Sequence, residues 1–204
     1  MGIELNQLEE KYNIITPNYG EIENDYYEIV MSNFSYKKIS KGRLFNIRPF
    51  EAQQAGFKLG RELKKLPKAI KNTYVYYFNN ENKVLLIEIY GQTENIINRE
   101  YYFYTDNMIE SIYFNSGTKS VRNIALSKIE NGLITETINY GRVDSSVSTY
   151  IYQGDLLIEI DVQQRTHTQP DNIIPYKVYF EYKDGSLDKI IDKHPNGYEE
   201  RRYP

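Results

Sequence analysis

The residues that could do chemistry are few and widely spaced. The only histidines are His167, in Arg165-Thr166-His167-Thr168, and His194, in Asp192-Lys193-His194-Pro195. Neither is surrounded by metal-ligand spacing, and both read as surface or loop residues. There is no Gly-x-Ser-x-Gly elbow to present a nucleophile. The chain has no cysteine, which excludes disulfides, thiolate nucleophiles and thiolate metal sites. Paired carboxylates could exchange protons. Glu88 and Glu159 hold equivalent places in two copies of Leu-Leu-Ile-Glu-Ile, at Leu85–Ile89 and Leu156–Ile160. Within a strand, a Glu between two Ile residues points away from the core, so the pair reads as a solvated acidic stripe. Such a stripe could meet a basic partner.

The best candidate site is a set of cations. Pro49–Leu66 reads as a helix because Ala52, Ala55, Leu59, Leu63 and Leu66 step by 3, 4, 4 and 3. Pro49 suits its first turn and Pro67 ends it. Gly56 and Gly60 would each cost such a helix about 1 kcal/mol, offset by close approach to a sheet. Lys58, Arg61, Lys65 and Lys68 lie on the opposite arc. They could be the solvated face of an amphipathic helix, a pairing surface for acidic strands, a binding surface for phosphates, or a contact for an acidic partner. The wider charge distribution makes a partner worth considering. Residues 1–36 carry net −6, residues 37–71 net +9 and residues 72–204 net −6, in a chain of net −3. A sequence pI near 5.6 argues against nucleic acid, and no glycine loop for phosphate precedes a helix.

These residues must be positioned by strands. Twenty-one tyrosines and no tryptophan favour half-buried sheet faces. From residue 73 five hairpins follow: Tyr74–Phe78 with Val84–Tyr90, Glu100–Tyr104 with Met108–Phe114, Ile124–Ile129 with Leu133–Tyr140, Thr149–Tyr152 with Leu156–Gln163, and Lys177–Tyr182 with Leu187–Ile191. Asn131-Gly132 and Asp184-Gly185 are the strongest turn signals among them. Arg165–Pro175 reads as an irregular loop. The clusters Tyr74-Val75-Tyr76-Tyr77 and Tyr101-Tyr102-Phe103-Tyr104 put aromatics on both faces of a strand, so those strands are covered twice or exposed once as a contact surface. Upstream, Ile3, Leu5, Leu8 and Tyr12 suggest a short helix over 3–12. Tyr26–Met31 reads as a strand, and Ser35–Ile47 as strand, turn and strand.

One unit, Tyr179-Phe180-Glu181-Tyr182-Lys183-Asp184-Gly185-Ser186-Leu187-Asp188-Lys189-Ile190, resembles the tyrosine–aspartate hairpin repeats of Rhs-type proteins and the related MORN-like hairpins. Tyr102–Ile112 is a weaker match, and the likeness extends over roughly the last 130 residues. It implies a β-meander and no activity of its own. Hairpin arrays of this kind are similar to some bacterial immunity proteins that neutralise secreted toxins.

The expected fold is mainly β: an antiparallel β-meander of about ten strands with a helix-containing N-terminal part packed on it, or alternatively a closed β-barrel. Residues 1–72 form the N-terminal α/β segment with the basic helix 50–66, residues 73–204 form the hairpin domain, and the two make one compact unit. The expected function is non-enzymatic binding of another protein, with toxin neutralisation as the most specific form. A small-ligand-binding β-barrel and a carbohydrate-active enzyme with paired carboxylates are the alternatives. No cofactor, metal or membrane partner is expected. The start Met1-Gly2-Ile3-Glu4-Leu5 lacks signal-peptide character, so the expected compartment is the cytoplasm.

Overall fold

Alternating apolar residues between tight turns give a single antiparallel sheet. The computed structural model describes residues 2–91 and 96–204; Met1 and the side chains of Gly2 and Ile3, part of the first helix expectation, lie outside the described residues. Eleven strands run as a meander: β3 (Thr73–Phe78), β4 (Val84–Tyr90), β5 (Ile97–Tyr104), β6 (Met108–Asn115), β7 (Ser120–Glu130), β8 (Leu133–Gly141), β9 (Asp144–Gln153), β10 (Leu156–Thr166), β11 (Ile174–Lys183), β12 (Ser186–Lys193) and β13 (Glu199–Tyr203). Two more extend it beyond β3: β1 (Tyr36–Lys41) pairs with β3, and β2 (Arg61–Leu63) pairs with β1. All five expected hairpins form. Positive φ at Asn131 and Gly132 (52° and 80°) and at Asp184 and Gly185 (51° and 76°) is what those turns require.

The sheet is open, with β13 and β2 at its edges, and is not a closed barrel. Closure would have to join those two edges. Instead the sheet coils. Register shifts at Tyr77/Phe78, Lys128/Ile129, Leu157/Glu159 and Glu181/Tyr182 each sit beside a hairpin turn. Bulges of this kind bend a strand and increase its twist.

One face is covered by two helices, α1 (Gly2–Ile15) and α2 (Tyr19–Asn33). Leu5, Leu8, Tyr12 and Ile15 step by 3, 4 and 3 along α1, which rests on β7 and β8. Tyr12 donates to the Val121 carbonyl at 3.1 Å. In α2, Tyr19, Ile22, Tyr26 and Val30 step by 3, 4 and 4, and the Tyr26 ring packs on Tyr101, Phe103 and Phe114 of β5 and β6. The strand expected at Tyr26–Met31 is therefore helix; exposed Glu21, Asp25 and Glu28 fill the outer arc and complete an amphipathic pattern, while Glu23 turns to the sheet and meets Arg99 and Tyr101. Leu8, Ile15 and Val30 are buried in this layer, and each such side chain contributes roughly 1.5–3 kcal/mol.

The opposite face is covered by chain lacking long helices. The helix expected over 50–66 shrinks to α3 (Glu51–Gln54). Gly56 then takes φ 81°, which leaves the right-handed helix, and a Cβ at Gly60 would collide with the backbone of Gly42. The close approach is thus between two backbones flanking β1 and β2, not between a helix and the sheet. The second strand expected within Ser35–Ile47 is also absent, because residues 43–48 turn across the sheet. Arg43 and Arg48 reach Glu100 on β5, Phe50 packs against Phe180 and Tyr182 of β11, and Gly56 lies against the backbone of Arg202 on β13. A flat sheet at ~4.8 Å per strand would put β5 and β13 roughly 38 Å apart. Coiling brings both within reach of one short segment.

The aromatic-rich strands are covered on both sides. Tyr77 faces the helices, while Tyr76 is fully buried under Leu44, Phe45 and Ile47 on the other face.

Candidate functional site

Two charged regions flank α3. The inner region is an ionic cluster. Arg43 Nη1 donates to Glu51 Oε2 at 2.6 Å and Nη2 donates to Glu100 Oε2 at 2.9 Å. Arg48 Nε donates to Glu51 Oε1 at 2.8 Å, and its Nη2 lies 3.7 Å from Glu100 Oε1. The backbone N–H of Ile47 also donates to Glu51 at 3.1 Å. Two guanidiniums thus neutralise two carboxylates beneath the covering segment. Burial pushes the Glu51 carboxyl up, but Arg48 and Arg43 more than offset it, and the pKa falls below the ordinary value of 4.5. Burial alone would weaken proton binding by Arg43 and Arg48, yet Glu51 and Glu100 hold both well above the ordinary arginine value. Tyr102, beside them, is pushed well above the ordinary tyrosine value by burial and then by Glu100; its hydroxyl has no hydrogen-bond partner.

A cleft of about 1150 Å³ opens next to this cluster. Its roof is the segment from Gly42 to Lys58. Its floor crosses β3 to β9, with Tyr74, Asn98, Tyr113, Asn139 and Tyr150 among its residues. Sequence reasoning missed the cleft entirely, since its floor is assembled by strand pairing from residues far apart in the chain.

The outer region contains the cations singled out from the sequence. Lys58 lies in the chain leaving α3 and lines the cleft rim; Arg61 is in β2; Lys65 and Lys68 follow β2. All four are exposed. They do not share a helical face, but lie along and beside one edge of the sheet. Lys37 on β1 and Lys64 and Lys71 beyond β2 extend the same basic edge. Lys38 pairs with Glu62 at 3.4 Å and Lys41 donates to the Ala69 and Lys71 carbonyls. Among the described residues, Lys58, Arg61, Lys65 and Lys68 have no carboxylate partner. Of the residues expected to form the buried stripe, Ala52 is buried, but Leu59 is 48 % exposed and Leu66 44 %, with neighbouring Phe57 at 66 %.

The other sequence candidates fall elsewhere. Glu88 is not solvated: it is buried under α2, accepts from Tyr77 Oη at 3.0 Å and Arg99 Nε at 3.1 Å, and shares Arg99 with Glu23. Its counterpart Glu159 lies outside the helix cover and pairs with Lys177 at 2.6 Å. His167 stacks on Tyr140 and donates from Nε2 to the Gly141 carbonyl at 2.8 Å; His194 stacks on Tyr176. Among the described residues no group of three His, Asp or Glu could hold a metal, and no helix is long and apolar enough to cross a membrane. A comparison with protein-family models finds no match, and neither does a comparison with curated proteins.

Proposed function

We propose that the chain is a non-enzymatic protein-binding module that engages an acidic partner through residues 57–68. The observation that carries this reading is the outer segment itself. Phe57, Leu59 and Leu66 are exposed and interleaved with Lys58, Arg61, Lys65 and Lys68, none of which has a carboxylate partner among the described residues. Apolar anchors ringed by cations suit an interface with an acidic surface: the apolar side chains supply burial and the charges supply steering. The chain as a whole is net negative, so this edge stands out against its own background.

Two further features support a passive role. Glu51 and Glu100, the carboxylates at the inner end of the cleft, are each spent on arginines rather than poised to exchange protons. The hairpin array resembles that of bacterial immunity proteins, and toxin neutralisation by direct contact is the specific form of the reading. The test is to mix the purified chain with the product of the neighbouring gene. A complex at micromolar concentration is expected, weakened at least tenfold when Lys58, Arg61, Lys65 and Lys68 are changed to Glu. Absence of a complex, or one indifferent to that reversal, would refute the reading.

A further inference from the structure

The cleft between the 42–58 segment and the sheet is lined by carboxamides and two arginines that present hydrogen-bond donors to it. In Asn98 the side-chain oxygen accepts from Ser116 N–H at 3.1 Å, and in Asn115 it accepts from Gly117 and Thr118 N–H at 3.0 and 3.2 Å. Backbone N–H groups can meet only an oxygen, so these contacts fix which way each carboxamide points. Asn139 and Asn123 join their carboxamides at 2.8 Å, which leaves one NH₂ and one carbonyl oxygen of the pair over. The NH₂ groups of Asn98 and Asn115, and one from the Asn123–Asn139 pair, therefore remain without acceptors among the described residues.

Two guanidiniums stand on the same wall. Arg142 N–H donates to the Arg122 carbonyl at 3.2 Å, so Arg142, in the turn after β8, sits opposite Arg122 on β7. Like charges directly opposite each other repel, so an anion between them is favoured. Neither has a carboxylate partner among the described residues; Arg122 instead lies over the Tyr113 ring, 5.1 Å from its centroid, which orients it. Lys58 adds a third cation at the rim. Glu51 and Glu100 are neutralised by Arg43 and Arg48, while Asp144, also on the lining, accepts from Gln164 through one oxygen and keeps its charge.

We infer that this cleft binds a small phosphate monoester. A dianionic phosphate offers three terminal oxygens, each accepting more than one hydrogen bond, and meets guanidiniums in bidentate geometry. Opposed Arg122 on β7 and Arg142 in the turn after β8 would close on it, with the carboxamide NH₂ groups completing the set. The cavity's volume slightly exceeds the ~300–1,000 Å³ of ordinary small-molecule sites, leaving room for the esterified group beside Tyr74 and Tyr113. This site shares only its rim, Phe57 and Lys58, with the protein contact proposed above, and its arginines and carboxamides stand or fall without that contact.

Calorimetric titration of the full chain with glucose 6-phosphate, adenosine 5′-monophosphate and inorganic phosphate tests the inference, with glucose and adenosine as uncharged counterparts. Saturable 1:1 binding tighter than about 1 mM is expected for a phosphate-bearing probe, with the uncharged counterpart at least tenfold weaker. The esters and free phosphate identify the source: an ester preferred over phosphate assigns the second group to the cleft, and equal affinity assigns the site to phosphate alone. Arg122→Gln with Arg142→Gln should weaken binding at least tenfold without lowering the melting temperature. Asn139→Asp, which keeps the acceptor for Asn123 but removes the donor, should weaken it independently. No saturable binding by any phosphate probe, or binding unchanged in both variants, would overturn the inference.

Discussion

Arg43 and Arg48 on one side of α3, and Lys58, Arg61, Lys65 and Lys68 on the other, carry the same charge under opposite conditions. The inner pair is covered by chain and ion-paired with Glu51 and Glu100. The outer four are exposed, with no carboxylate partner among the described residues, and set among exposed Phe57, Leu59 and Leu66. The difference separates what holds the molecule together from what is free for a partner. A buried ion pair is weak evidence for net stability, but breaking one leaves an uncompensated charge, so the inner cluster pins the covering segment to the coiled sheet. Exposed cations at a sheet edge cost little and also discourage strand-to-strand aggregation.

The largest effect should come from the inner cluster. Glu51→Gln leaves Arg48 without its main counter-ion, and a loss of about 3–5 kcal/mol is expected in urea denaturation. A loss under 1 kcal/mol would mean that the segment is held by its apolar contacts, such as Phe50 on Phe180. The pH dependence sharpens the same point. Because the folded-state pKa of Glu51 lies below its unfolded value, the unfolded chain binds the proton more readily as the medium acidifies. The stabilisation is complete above about pH 4.5 and is lost as pH falls through the depressed folded pKa. Denaturation midpoints between pH 6 and pH 3 should drop less steeply in Glu51→Gln than in the parent chain.

Smaller effects are expected at Tyr102. Its hydroxyl is buried without a partner, so Tyr102→Phe should leave stability unchanged or raise it by up to about 1 kcal/mol. A large loss would reveal a hydroxyl contact essential to the cluster. The smallest effect belongs to the outer region: Arg61→Glu or Lys65→Glu should shift stability by no more than about 0.5 kcal/mol while weakening the partner complex.

What the sequence made legible follows the range of the physics involved. Hairpins are local, and Asn131-Gly132 and Asp184-Gly185 announce their turns without help from the rest of the chain. Helix α2 was obscured because β-forming Tyr26, Tyr27, Ile29 and Val30 cluster at its end, although the steps from Tyr19 through Val30 carried the correct period. Residues 50–66 misled in the opposite direction. Ala52 through Leu66 keep helical spacing, but Gly56 adopts a left-handed conformation and Gly60 is needed for backbone contact with Gly42, so the spacing has no continuous helix to act on. The four candidate cations were found by charge alone, which survives the loss of that helix. The inner cluster could not have been read this way. It joins Arg43, Arg48 and Glu51 to Glu100 through a sheet whose coiling depends on bulges that leave no clear sequence mark.

Hydrogen exchange across residues 50–68 of the full chain tests the contrast between the two regions most directly. The amides of Gln54 and Ala55, bonded to Phe50 and Glu51 within the covered turn, should exchange slowly, while those of Lys64, Lys65, Leu66 and Lys68, which have no backbone acceptor among the described residues, should exchange close to the free-chain rate. Continuous slow exchange from 54 through 66 would restore a long helix, return Leu59 and Leu66 to the interior and contradict the account.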